Sequence, residues 1–195
     1  MRVALSQKLS AFLIAGAVIG LLGVVLFGVV HALIIIPIWT RLFGGIPLAL
    51  PAGLAMGWAL HELQAAGRLS KGAFSGLAFG FLLWLTSLPM TAFTVFVRAA
   101  GLHSTEGNWE ITVEVLLATT TGALLGRLIS RQWRPALAMG TASLAMSLAQ
   151  AGPIPVLNSS RAARLFAALG LIYLACGLAL GLLSSVILRR LKSQP

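Results

Sequence analysis

From Leu9 to Thr40 no residue carries a fixed charge, and the same is true from Gly72 to Val97 and from Leu165 to Leu188. Uncharged stretches of that length constrain the chain more than any other feature. A helix rises about 1.5 Å per residue, so roughly 20 apolar residues cross the hydrocarbon of a bilayer. Within lipid a segment must satisfy its own backbone N–H and C=O groups, which makes the helix the expected form of each run. The 195-residue chain is 58% hydrophobic and 9% charged, against about 25% charged in a soluble domain. The expected fold class is all-α: a polytopic integral membrane bundle forming one transmembrane domain over residues 1–195.

Six spans are expected, at about 10–36, 46–63, 72–97, 109–129, 135–150 and 163–188. The fifth is short and rich in Ala, Ser and Gly, so five spans with a re-entrant fifth segment is the alternative. Arg2 and Lys8 ahead of the first apolar run resemble the start of a signal peptide. The run is longer than the 7–15 residues of a signal core, so a retained first span is expected.

The net charge of +10 would suggest nucleic acid in a soluble protein. Here the basic residues lie between apolar runs, where they act as topology signals and touch lipid headgroups. With the N-terminus in the cytoplasm, Arg41, Arg98, Arg161 and Arg164 fall at outer ends, and the rest of the 14 Lys and Arg fall inside. That bias obeys the positive-inside rule for an N-in, C-in, six-span chain. The expected location is a bacterial plasma membrane with cytoplasmic termini. Lipid and other membrane subunits are the expected partners, and nucleic acid is not.

Glycines recur four residues apart: Gly16/Gly20, Gly53/Gly57, Gly72/Gly76/Gly80, Gly122/Gly126 and Gly177/Gly181. Such pairs let helix backbones approach where lipid supplies no hydrophobic drive for association. Packing within the bundle is the first expectation for them, and a dimer face the second. Pro89, flanked by Thr86, Ser87 and Thr91, is a candidate hinge in the third span. Pro47 and Pro51 are expected to open the second span. Trp39, Trp109 and Trp133 lie near span ends, as interface anchors do, while Trp58 and Trp84 lie deeper and are expected to pack. Pro51 to Gly57 loosely echoes Pro135 to Gly140, the positions an inverted repeat of three-span halves would relate.

Chemistry has few places to reside. The chain has four acidic residues, all glutamates, and Glu106, Glu110 and Glu114 stand four apart, on one face if helical. Asn108 is a plausible N-cap for the fourth span. Glu110 then sits in the first turn, where the helix dipole favours it, and Glu106 reads as a loop residue. Glu114 lies a turn deeper, where a carboxylate is costly unless paired or wet. Arg98, at the outer end of the third span, is its expected structural partner. His31 and His103 fall on the same outer side, and carboxylates with imidazole suit a divalent metal ion. The expected cation contacts are Glu114, Glu110 and His31, with His103 and Glu106 as metal-binding residues at the mouth.

A second place is His61-Glu62, near the inner end of the second span. Neighbouring residues on a helix point about 100° apart, so no ready chelate is expected there. Glu62 is expected to pair with Arg68 or Lys71. Cys176, the one cysteine, lies in an apolar run and is expected to be a small buried side chain. No Gly-x-Ser-x-Gly, His-Glu-x-x-His, nucleotide loop or Cys-x-x-Cys occurs, and an enzyme is the weaker reading.

The size and six-span plan resemble small substrate-capturing membrane subunits of vitamin or metal importers, a resemblance of architecture without a shared motif. The expected function is a small transporter or permease subunit capturing a cation or small solute from the outer face. The alternative is a non-catalytic accessory subunit of a larger membrane complex.

Overall fold

The computed structural model describes residues 2–34, 39–102, 109–150 and 159–192. Seven helical segments occur among them and no strand: α1 (Arg2–Ile34), α2 (Trp39–Ala65), α3 (Ala73–Thr86), α4 (Leu88–Ala99), α5 (Trp109–Ser130), α6 (Trp133–Gln150) and α7 (Ser159–Lys192). Three stretches are long and apolar enough to cross a membrane: Ala73–Val97, Trp109–Ser130 and Phe166–Leu191. Helices run past the expected apolar limits at several ends, because backbone hydrogen bonding continues into the charged flanks. Asn108, Pro153 and Pro155 lie outside the described residues.

Two expectations about proline need correction or sharpening. Pro47 and Pro51 do not open α2, which already runs from Trp39 and carries both within it. Their spacing of one turn places both missing N–H groups on the same side of the helix. Near Pro89 the third span breaks into α3 and α4 at Ser87. Hydroxyls cover carbonyls that the break releases. Thr86 Oγ1 donates to the Leu83 carbonyl at 2.7 Å, and Ser87 Oγ to the Trp84 carbonyl at 2.7 Å. Pro89 then falls in the first turn of α4, where its absent N–H costs nothing within the helix.

The glycine pairs are used inside the bundle. A Cβ on Gly16 would collide with the carbonyl oxygen of Gly53, and one on Gly53 with that of Gly16. Gly20 meets Ala49 and Gly53 in the same way, so α1 and α2 lie antiparallel with backbones touching. Between α3 and α7, Gly76 meets Gly177, and Gly80 meets the Tyr173 carbonyl. Between α5 and α6, Gly122 faces Met139 and Ser143, and Gly126 faces Pro135 and Ala136. Each seam replaces side-chain burial with close backbone packing.

These hairpins join into one bundle. Beyond the three seams, α2 packs on α6, α1 on α7, and α5 on both α3 and α4, with lesser contacts of α3 on α4 and α6. The shared core includes Phe12, Met56, Leu60, Leu63, Phe79, Leu83, Met139, Tyr173 and Leu180. Trp58 and Trp84 pack against it, as their depth in the sequence implies. Large apolar side chains such as Leu22, Val25, Phe74, Leu124, Leu128 and Leu171 face outward. A soluble monomer rarely exposes so much apolar surface.

Candidate functional site

The α4–α5 corner carries the deepest acidic group of the stripe. Glu110 lies in the first turn of α5, and Glu114 one turn further along, about 7 Å from Trp109 by helix rise. Both are half-buried, and both have further partners. The end of α4 is fastened to the start of α5 by Phe93 and Trp109, whose rings meet edge to face with centroids 6.0 Å apart.

Thr94 is the residue the sequence did not point to. Its hydroxyl makes a short hydrogen bond with Glu114 Oε1 and lies 3.0 Å from the Met90 carbonyl of its own helix. A hydroxyl has one proton. Both contacts are hydrogen bonds at once when Glu114 is protonated, donates to Thr94, and Thr94 donates to Met90. When Glu114 is ionised, Thr94 turns its proton to the carboxylate and releases the Met90 carbonyl. The pair ties α4 to α5 through a single shared hydroxyl.

The other expected members of this site are only partly described. His103 and Glu106 lie outside the described residues. His31 is placed on α1 and Arg98 on α4, one turn past Thr94, while their side chains lie outside the described residues. The convergence of His31, Arg98 and Glu114 is thus no part of the described geometry. Among the described residues, no group of three or more His, Cys, Asp or Glu could hold a metal ion.

At the far end of α2 the sequence reading needs a second correction. His61 Nδ1 and Glu62 Oε1 approach to 3.4 Å, although their Cβ atoms diverge around the helix. Rotation about χ1 and χ2 closes the gap. Arg68 and Lys71 are exposed, and neither is the partner of Glu62. The Phe12 ring stands edge-on to the imidazole at 5.4 Å. His61 Nδ1 has no hydrogen bond, so the contact with Glu62 is a close approach without hydrogen-bond geometry. Nearby, Gln64 Nε2 donates to Ser75 Oγ at 2.6 Å, tying α2 to α3. This cluster braces a corner and presents no converging set of ligands.

A third feature is a cavity of about 40 Å³ among α1, α2, α6 and α7. Ile19, Gly23, Ala52, Met146, Tyr173 and Cys176 are among its lining. That exceeds the roughly 10–15 Å³ needed to admit one water. Cys176 is buried, as its apolar surroundings in sequence imply, and its thiol is free. No family model matches the chain, and neither a curated protein nor a solved structure does.

Proposed function

We propose that this chain is a small six-span integral membrane transporter or permease subunit, with both termini in the cytoplasm and its solute entering from the outer face. The observation that carries the reading is the half-buried Glu114 held by Thr94, beside a span broken at Ser87. Ionisable groups at membrane depth are expensive, and they serve proton and ion pathways by default. Glu114 is the group that takes up and releases the coupling proton or cation, and Glu110 lies one turn nearer the mouth. The break at Ser87, ahead of Pro89, lets α4 move against α3 as the Thr94–Glu114 bond makes and breaks. Exposed Trp109 and Trp133, at the starts of α5 and α6, suit opposite membrane interfaces.

The six-span, N-in arrangement rests on the positive-inside bias and on the antiparallel seams between α1 and α2, α3 and α7, and α5 and α6. The plasma membrane of a bacterium is the location that suits this arrangement.

The test is uptake by the purified protein in liposomes across a pH gradient, comparing wild type with Glu114→Gln. Loss of gradient-driven uptake of every solute the wild type carries supports the reading. Unchanged uptake removes it. The rival, an accessory subunit of a larger complex, draws on glycine faces free to meet a partner. The described pairs are engaged within the bundle, which weakens that rival.

A further inference from the structure

The helix contacts gather basic side chains at one end of the bundle. Gly57 meets the Phe12 carbonyl, so the end of α2 lies beside the start of α1. Gln64 donates to Ser75, which brings in the start of α3. Gly181 meets the Gly72 carbonyl, which brings in the end of α7. The cavity joins Ala49 and Ala52 of α2 to Met146 and Ala149 of α6, so these helices are antiparallel and α6 starts beside the end of α2. The end of α5 arrives there too, where Gly126 faces Pro135. Lys8, Lys71 and Arg189, all exposed, therefore share one end with the α5–α6 corner.

That corner differs from the rest of the basic end in being held rigidly and in lacking any counter-charge. It carries Arg127, Arg131 and Arg134. Ser130 Oγ donates to the Gly126 carbonyl at 2.6 Å and lies 3.1 Å from the Gln132 N–H, which fixes the turn. The Arg127 guanidinium lies 4.7 Å from the Trp133 ring centre, a cation–π contact, and donates to the Arg131 carbonyl. A guanidinium has five N–H groups, so Arg127 keeps donors to spare. Arg131, Trp133 and Arg134 are exposed. Among the described residues, none of these arginines is paired with a carboxylate. Glu62 faces His61, the first turn of α6 has no acidic residue, and Glu114 lies about 20 Å from Arg127 by helix rise. Like charges so placed repel one another until an anion joins them.

The apolar side chains next to the corner indicate which anion fits. Leu124 and Leu128 stand one turn apart on α5, and Trp133 and Leu137 one turn apart on α6, each more than half exposed. The Arg127–Trp133 contact sets these two columns side by side. A free phosphate would use the arginines alone. A phospholipid uses both features: its phosphate meets the guanidinium forks, its acyl chain lies along the leucines, and Trp133 sits at headgroup level. We infer that the α5–α6 corner is a binding site for one anionic phospholipid, with Arg131 and Arg134 clasping the phosphate and Arg127 as the third contact. Anionic lipid is selected over zwitterionic lipid because a zwitterionic headgroup carries its own cation toward the arginines. Lys8, Lys71 and Arg189 add to the attraction of that end for an anionic surface without touching this lipid. Such a site requires only that the bundle lie in a bilayer, whether or not the chain transports a solute.

Lipid titration into the purified protein in mild detergent tests this, with bound lipid counted by native mass spectrometry. Phosphatidylglycerol is compared with phosphatidylcholine of the same acyl chains. Wild type should hold one phosphatidylglycerol about tenfold more tightly than phosphatidylcholine, the scale that two basic residues supply at an anionic surface. Arg131→Asn/Arg134→Gln should cut that preference to about twofold or less. Asn suits the first position because it tolerates the left-handed backbone of Arg131 at φ 58°. Lys8→Gln/Arg189→Gln removes the same charge from the same end and should leave the preference within about twofold of wild type. Should the paired corner variant elute as misfolded protein, Arg134→Gln alone serves, with an expected loss of about threefold. Equal losses in the two pairs would reduce the corner to general surface charge and overturn the inference. So would a wild type that binds both lipids alike. Glycerol phosphate binding as tightly as phosphatidylglycerol would make the ligand a free phosphate ester and overturn it as well.

Discussion

The α1–α2 and α5–α6 hairpins are built on one plan and finished differently. Each is an antiparallel pair closed by glycines spaced one turn apart. In the first, glycine meets glycine, so backbone touches backbone from both sides. In the second, Gly122 and Gly126 receive Met139, Ser143 and Pro135 instead. The first hairpin borders the cavity with Gly20, Gly23, Ala49 and Ala52. The second ends in a two-residue corner. There Arg131 takes a left-handed conformation at φ 58°, its carbonyl accepts a hydrogen bond from Arg127, and the Arg127 guanidinium lies 4.7 Å from the Trp133 ring centre. The contrast teaches that one backbone plan can close on glycine backbone or on larger neighbours, according to the residues it meets.

The largest effect comes from emptying the shared core at Phe79. Phe79→Ala should lower stability by about 3–5 kcal/mol, read as the shift of thermal unfolding in lipid nanodiscs. Met146→Ala, at the cavity that already exists, should cost far less. Equal losses would mean that the cavity beside Met146 is as tightly packed as the core around Phe79. Next is the seam itself. Gly53→Val should cost about 1–3 kcal/mol, because two backbones must part. Gly140→Ala should cost less than about 1 kcal/mol, since its nearest obstacle is the Ala123 Cβ at 3.2 Å. A reversed order would mean that α1–α2 is the looser pair throughout.

Thr94→Val should cost about 1 kcal/mol for the lost hydrogen bond and should shift the pH dependence of uptake while Thr94→Ser preserves it. A stability loss with an unchanged pH profile would reduce the Thr94–Glu114 contact to bracing. The smallest effect is expected for Ala149→Val. Filling part of the cavity should leave stability within about 0.5 kcal/mol of wild type while slowing uptake, as a ligand-free melting curve and a flux assay would show together.

Much of this architecture was legible because membrane spans declare themselves by length and missing charge. The glycine spacing announced close packing, yet it could not say that Gly16 meets Gly53 or that Gly76 meets Gly177, since every small-residue pair fits every other. Thr94 was invisible because threonine is common in helices, and its meeting with Glu114 depends on how α4 leans on α5 after the break at Ser87. His61 and Glu62 misled for a local reason. Helical spacing fixes where Cβ atoms point, while two long side chains can still bring their tips to 3.4 Å.

The most direct test of the whole account is the sidedness of three loops. Single cysteines at Ser70, Ala100 and Gln132, all exposed, on a Cys176→Ala background, would be labelled with an impermeant maleimide from either face of sealed vesicles. The proposed N-in, six-span arrangement predicts that Ser70→Cys and Gln132→Cys label from the cytoplasmic face and Ala100→Cys from the opposite face. Labelling of all three from one face would contradict the account, because α3–α4 would then turn back within the membrane.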